Sequence, residues 1–260
     1  MSDTREQGFV IVVGLGPGDK NLITPEASAA LAAATDLVGY ATYVARVPER
    51  PGPTRHISDN REEIDRARHA LTLAASGRRV VVVSSGDPGV FAMAAAVFEA
   101  IDEGDPAWRA LDIRVLPGIS AMLSAAARVG APLGHDFCAI NLSDNLKPWG
   151  LVEKRLALAA EADFVITLYN PVSKARPWQL GRAFEILRTV RAPETPVIFA
   201  TAVSDARERI DTVPLGKAVA ERADMRTLVI VGSSRTRTIA REGKPPFVYT
   251  PRKTPAEPSP

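Results

Sequence analysis

The chain has 260 residues, 46% of them hydrophobic and 24% charged. That is the balance of an ordinary globular protein, long enough to bury a real core. Its 32 basic and 30 acidic residues leave a formal charge of +2, without the basic excess that nucleic acid demands of a partner.

The single cysteine, Cys138, excludes an internal disulfide and any cysteine-built metal or cluster site. The three histidines, His56, His69 and His135, are scattered without metal-ligand spacing, so no metal is expected. Ser2 to Gln7 lack the shape of a signal peptide. No apolar run approaches the ~20 residues of a membrane span. A cytoplasmic protein is expected.

Phe9 to Val13 is a continuous apolar run, the pattern of a strand buried on both faces. A turn, Gly14-Leu15-Gly16-Pro17-Gly18-Asp19, follows it. Thr24-Pro25 then reads as N-cap and first helical residue, opening a helix to about Ala34. Leu37 to Tyr40 is a short strand. Asp59 and Glu62 have capping-box spacing for a helix that ends before Gly77. Val80 to Ser84 is the third expected strand, and it runs into a second turn, Ser84-Ser85-Gly86-Asp87-Pro88-Gly89. A helix over Phe91 to Glu103, a strand over Ile113 to Leu116, the turn Pro117-Gly118-Ile119-Ser120 and a small-residue helix to about Arg128 complete a parallel βα domain.

The turn-rich stretch 130–134 is the expected domain break, giving domains 1–131 and 132–250 and a disordered tail 251–260. The second half starts with a strand over Phe137 to Leu142 and a helix over about Leu151 to Ala162. A strand over Phe164 to Tyr169 leads through a loop to a helix ending near Val190. Pro196 to Ala202 and about Arg207 to Thr212 are neighbouring strands. Leu215 to Ala223 is expected as a helix and Thr227 to Val231 as a strand. Strands that follow each other without a helix imply a mixed sheet.

Two Gly/Pro/Asp turns at the ends of buried strands mark a crevice, where open α/β sheets bind small ligands. The first turn is not a dinucleotide fingerprint, because position 19 is Asp, and no Gly-Lys-Ser/Thr follows it. Asp36 stands at the start of its strand, the wrong edge of the sheet for holding a ribose. Asp87 suits both an Asx-turn and a hydrogen bond to a ligand. Ser120 suits both an N-cap and a ligand contact at a helix start. Asp144, Asn145 and Lys147 lie on a loop after a strand, where they fit either acid/base work or a solvated turn. Lys174 and Arg176, and likewise Arg235 and Arg237, are loop cations suited to the carboxylates of an acidic substrate.

Three of these motifs, in this order, resemble the tetrapyrrole (corrin/porphyrin) methylase family, over Val10 to about Arg237. They are Gly14 to Asp19 with Leu22-Ile23-Thr24, then Gly86-Asp87-Pro88, then Pro117 to Ser120. Within the family, Gly39 to Tyr43, Ser84 to Phe91, Leu142 to Trp149 and Leu168 to Pro171 with Ser173, Lys174 and Arg176 resemble the branch that methylates precorrin-3B at C-17. The resemblance implies two α/β domains with the active site in the cleft between them, and a homodimer. It implies S-adenosylmethionine as cofactor, S-adenosylhomocysteine as product and a tetrapyrrole substrate, with neither nucleic acid nor membrane as partner.

Cofactor contacts carry over to Pro17, to Ser85, Gly86, Asp87 and Val90, to Ser120 and Ala121, and to Asn170, Ala202 and Val203. Many relatives place Met where Asn170 stands. The glycine loop (Gly14, Gly16, Gly18, Asp19) carries over as a substrate contact. Lys174, Arg176 and Arg235 are the expected partners of substrate carboxylates. Asp144 and Lys147 are the expected catalytic acid/base groups. The implied reaction is C-17 methylation with ring contraction to precorrin-4. Methylation at C-20 or C-11, action on cobalt-factor III, and a nucleotide-binding module without catalysis remain alternatives.

Overall fold

A computed structural model describes residues 8–59 and 62–253. Its contacts divide the chain into two units, one ending at Ser120 and one starting at Ala121.

The first unit is a parallel βα sheet. Its elements are β1 (Phe9–Gly14), α1 (Pro25–Ala33), β2 (Asp36–Tyr40), α2 (Ala41–Val44), β3 (Thr54–Ser58), α3 (Glu63–Ala75), β4 (Arg79–Ser84), α4 (Met93–Glu103) and β5 (Asp112–Leu116). The order is β3-β2-β4-β1-β5, with every pairing parallel. Successive side chains of a strand face opposite ways. Val10, Val12, Val80 and Val82 therefore pack with α3 and α4 on one face. Ile11, Val13, Val81 and Val83 pack with α1 on the other. All eight are buried, each stabilising the fold by roughly 1.5–3 kcal/mol.

Thr24 caps α1 as expected, its Oγ1 accepting from the Ala27 amide at 3.1 Å, with Pro25 at the first position. The Asp59–Glu62 box forms by half. The Glu62 carboxylate accepts from the Asp59 amide at 3.1 Å, but α3 starts at Glu63 without a side-chain cap. Helix α4 starts at Met93, two residues late, because Phe91 has φ +52 and Ala92 is extended.

The second unit contains α5 (Ala121–Val129), β6 (Gly130–Ala131), β7 (Phe137–Asn141), α6 (Trp149–Glu161), β8 (Val165–Tyr169), α7 (Gln179–Arg188), β9 (Pro196–Thr201), β10 (Arg209–Pro214), β11 (Thr227–Val231), β12 (Arg237–Arg241) and β13 (Lys244–Tyr249). Its main sheet has the order β10-β9-β11-β8-β7. Strand β7 is parallel to β8, while β11 is antiparallel to β8 and β9. A small sheet joins β12, β13 and β6.

Three expectations need correction. The division falls one helix earlier than residue 131, because α5 buries Ala125, Ala126 and Val129 against Ile198, Ile230 and Val248 of the second unit. Leu215 to Ala223 forms two short 3-10 turns, not a helix. Arg188 explains this: its guanidinium binds the carbonyls of Leu215 and Ala218, and Ala218 is extended with ψ 128. The chain after Val231 contains the β12–β13 hairpin, so Arg237 lies in a strand rather than a loop. The expected disordered tail lies mostly outside the described residues.

Candidate active site

In the first unit, β1 and β4 are adjacent, yet the helices that follow them leave to opposite faces. Their loops must part at that point, which is where a doubly wound sheet forms its ligand crevice. The floor of this crevice is backbone. Gly16 and Gly86 exchange both main-chain hydrogen bonds, at 3.2 and 2.9 Å. Both have left-handed φ values, +64 and +63, which glycine adopts without strain. The loop after β5 joins them. A Cβ on Gly118 would lie 2.2 Å from the Gly86 carbonyl oxygen, and one on Gly14 would lie 2.8 Å from Gly118 Cα.

Asp87 ties the second and third loops together. One carboxylate oxygen accepts from the Gly89 amide at 2.8 Å, closing an Asx-turn. The other accepts from the Gly118 amide at 3.0 Å. Asp19 is a cap for the short turn Lys20–Leu22, accepting from the Asn21 amide at 2.8 Å. Ser85 is half-buried, and its Oγ accepts from Arg46 at 3.1 Å. Pro17, Gly18 and Val90 are half-buried or exposed beside these turns, and Ser120 is buried.

In the second unit, Asn170 at the end of β8 and Ala202 at the end of β9 have φ +50 and +49. Left-handed backbone costs energy for residues other than glycine, and it gathers at functional loops. Because β8 and β9 both run antiparallel to β11, the two positions share one end of the sheet. The start of α5 lies there too: the Met122 amide, next to Ala121, donates to the Tyr169 hydroxyl at 3.2 Å. Val203 is buried and packs into the core beneath.

The β7 loop reaches the same end. Asn141 Oδ1 accepts from Asn170 Nδ2 at 3.0 Å and from the Ser143 amide at 2.9 Å. Lys147 Nζ donates to the Ser143 carbonyl at 2.8 Å. Gln179, fully buried, donates to Asp144 Oδ2 at 3.3 Å. Arg176 donates to the Asn170 carbonyl at 3.4 Å. Burial pushes the Lys147 ammonium below its ordinary pKa, and the charges of Arg155 and Arg176 push the same way against Asp144. The loop thus gathers a polarised amine, a carboxylate and a guanidinium.

The family model for tetrapyrrole (corrin/porphyrin) methylases matches residues 10–219. The chain belongs to the tetrapyrrole methylases. A precorrin-3B C(17)-methyltransferase from Sinorhizobium sp is 59% identical over 94% of this chain and 96% of its own. The crystal structure of the methyltransferase CobJ superposes with a TM-score of 0.90 at 58% identity, over 94% of this chain and all of that one. A uroporphyrin-III C-methyl transferase from Thermus thermophilus, solved with S-adenyl homocysteine, shares the fold with a TM-score of 0.66 at 23% identity, over 86% of this chain and 97% of that one.

In this methylase the structure gathers the expected residues into two groups. Gly14, Gly16, Pro17, Gly18, Asp19, Ser85, Gly86, Asp87 and Val90 share the carboxyl edge of the first sheet, where the Ser120 loop also lies. Ala121, Asp144, Lys147, Asn170, Arg176, Ala202 and Val203 share one end of the second. Lys174 is exposed on the loop that carries Arg176. Arg235 is not brought to this end. It follows β11, whose Val231 pairs with Ile166 early in β8, and its neighbour Ser234 binds Asp163, just before β8. Antiparallel pairing sends it to the opposite edge.

Sequence reasoning missed Arg46 and Gln179 as parts of these loops, and gave Asn141 no role of its own. Asn141 was visible as a polar residue ending an apolar strand. Arg46 and Gln179 gave no local signal, because their partners lie far along the chain.

Proposed function

We propose that this methylase transfers a methyl group from S-adenosylmethionine to C-17 of precorrin-3B, coupled to ring contraction to precorrin-4, in cobalamin biosynthesis. The observation that carries this reading is the likeness, over nearly the full length of both chains, to the Sinorhizobium precorrin-3B C(17)-methyltransferase. The site chemistry agrees with it. The first-unit loops offer a serine hydroxyl beside a guanidinium, and the Asp87 carboxylate already serves two amides. Together these donors and acceptors suit a zwitterionic amino-acid end and neutral ribose hydroxyls.

In this reading Pro17, Ser85, Gly86, Asp87, Val90, Ser120, Ala121, Asn170, Ala202 and Val203 hold the cofactor, Asp87 and Val203 through the backbone they shape. The bound cofactor supplies an electrophilic sulfonium methyl. Holding two reactants in line contributes up to ~7–11 kcal/mol in favourable cases, and positioning of this kind is what these loops would supply to the transfer. The Gly14–Asp19 turn, Lys174 and Arg176 face the tetrapyrrole. Ring contraction removes a hydroxyl proton, and Lys147 is our candidate base. Its lowered pKa leaves more of the neutral amine than an ordinary lysine has. Asp144, held by Gln179, is the second candidate.

Among the described residues no helix is long and apolar enough to cross a membrane. A cytoplasmic homodimer completes the reading, and light scattering of the purified chain tests the dimer. A binding titration tests the cofactor assignment: micromolar S-adenosylhomocysteine binding without NAD or ATP binding is expected, and the reverse removes it.

A further inference from the structure

Arg46 stands just after α2, and its side chain reaches back to both glycine turns. Nη2 donates to the carbonyls of Leu15 at 2.6 Å and Gly16 at 3.0 Å, and Nη1 donates to Ser85 Oγ at 3.1 Å. The acceptors thus belong to the loops after β1 and β4, the two strands whose helices part. A guanidinium presents its N–H groups in a fixed planar fork and accepts nothing. A hydroxyl has one proton and two lone pairs. With Arg46 donating into a lone pair, the Ser85 proton is directed away from the guanidinium and is left for another acceptor. The neighbouring positive charge strengthens it as a donor.

We infer that Arg46 is a positioning residue for the cofactor. Its fork sets the spacing of the two turns, and it turns the Ser85 hydroxyl into a donor for an oxygen acceptor on the ligand, such as the carboxylate of the methyl donor's amino-acid end. This rests on the proposed role of Ser85 in cofactor binding. The Gly16–Gly86 pairing and the Leu15 amide on the Ser84 carbonyl join the turns through backbone. Arg46 adds a side-chain joint that also sets which way a ligand-facing group points.

The test is calorimetric titration of the whole chain with S-adenosylhomocysteine, comparing Arg46→Met, Arg46→Lys, Ser85→Ala and the Arg46→Met/Ser85→Ala pair, with a melting curve for each. Each single change is expected to weaken binding roughly tenfold, the effect of losing a hydrogen bond to a charged group. The double variant is expected to be little worse than the weaker single one, because the two residues act as a unit. Arg46→Lys keeps a cation without the fork and should recover part of the affinity. In turnover, KM for the methyl donor should rise in the Arg46 and Ser85 variants alike, while KM for the tetrapyrrole should hold in Ser85→Ala, which leaves the Arg46 bonds to the first turn in place. If Arg46→Met fails to fold, Arg46→Lys with Ser85→Ala provides the same cycle. Arg46 variants that bind within twofold of the parent overturn the inference, as do losses that simply multiply in the double variant. A parent chain that does not bind the ligand at all overturns instead the cofactor reading beneath it, a result the variants cannot mimic.

Discussion

The Asp87 carboxylate and the Gly118 amide are joined at 3.0 Å across two loops that are 31 residues apart in sequence. The same carboxylate closes its own turn on Gly89. Asp87 therefore shapes the first-unit site more than it presents a charge. Asp87→Ala leaves the Gly118 amide without its acceptor and should cost about 1–3 kcal/mol of stability, together with at least tenfold in S-adenosylhomocysteine affinity. Asp87→Asn keeps one acceptor oxygen and should fall between. Denaturant unfolding and calorimetry read the two effects separately, and unchanged affinity in Asp87→Ala would remove this residue from the site.

Glycine at position 118 is required by contact, not by dihedral angle. A Cβ there would meet the Gly86 oxygen at 2.2 Å and Gly14 Cα at 3.0 Å. Gly118→Ala should destabilise by about 1–3 kcal/mol, the range for overpacking, and should abolish cofactor binding. Gly181 is the contrast: it lies in α7, and a Cβ added there would meet nothing within 4 Å. Gly181→Ala should stabilise by up to ~1 kcal/mol through helix propensity. Urea midpoints that move the same way for both changes would contradict this assignment.

At the opposite edge of the first sheet, Asp36 binds Arg78 at 2.7 Å and His56 at 2.9 Å, and His56 binds His69 at 2.9 Å. Burial alone would raise the Asp36 pKa, but hydrogen bonds from Arg78, His56 and Thr35 bring it down to about 2. A carboxylate held below its unfolded value of ~3.9 gives stability that is present above that pH and lost as pH falls toward 2. His69 works in the same direction at higher pH. Burial and the charge of His56 lower its pKa below 6.5, so the unfolded chain takes up a proton first and stability declines as pH falls through that value. Asp36→Asn should cost about 2 kcal/mol at neutral pH and flatten the acid limb. His69→Gln should flatten the limb near pH 6.5. Stability curves parallel to the parent's would count against both.

Much of this architecture was legible. Runs such as Val10–Val13 and Val80–Val83 can only be strands buried on both faces, and Thr24-Pro25 states a helix start outright. Asn170 and Ala202 came from the family resemblance, and the expected strands end at or beside them. What was hidden depends on distant partners. Strand β3 reads Thr54-Arg55-His56-Ile57-Ser58, polar at an edge, because its pairing to β2 and the buried Asp36 stabilise it rather than hydrophobicity. The β12–β13 hairpin carries Arg237, Arg241, Lys244 and two prolines, which look like a loop. Leu215 to Ala223 has helical composition, but Arg188 captures its carbonyls from another element. Arg235 looked like a site cation because the antiparallel direction of β11 has no signature in a single strand.

Lys147 separates binding from chemistry. Lys147→Met removes the candidate base and its bond to the Ser143 carbonyl, leaving the first-unit loops alone. Turnover should fall by about 10²-fold or more, with S-adenosylhomocysteine affinity within threefold of the parent. In the parent, kcat should decline as pH falls and the amine takes up its proton, and that limb should vanish in Lys147→Met. Parent-like turnover in the variant would move the role to Asp144.

The most direct measurement is the product itself. The purified chain, given S-adenosylmethionine and precorrin-3B, should yield a macrocycle methylated at C-17 and contracted, identified by mass and NMR, with one S-adenosylhomocysteine released per turnover. Methyl transfer to another carbon, a methylated ring that stays uncontracted, or no transfer at all would contradict the account.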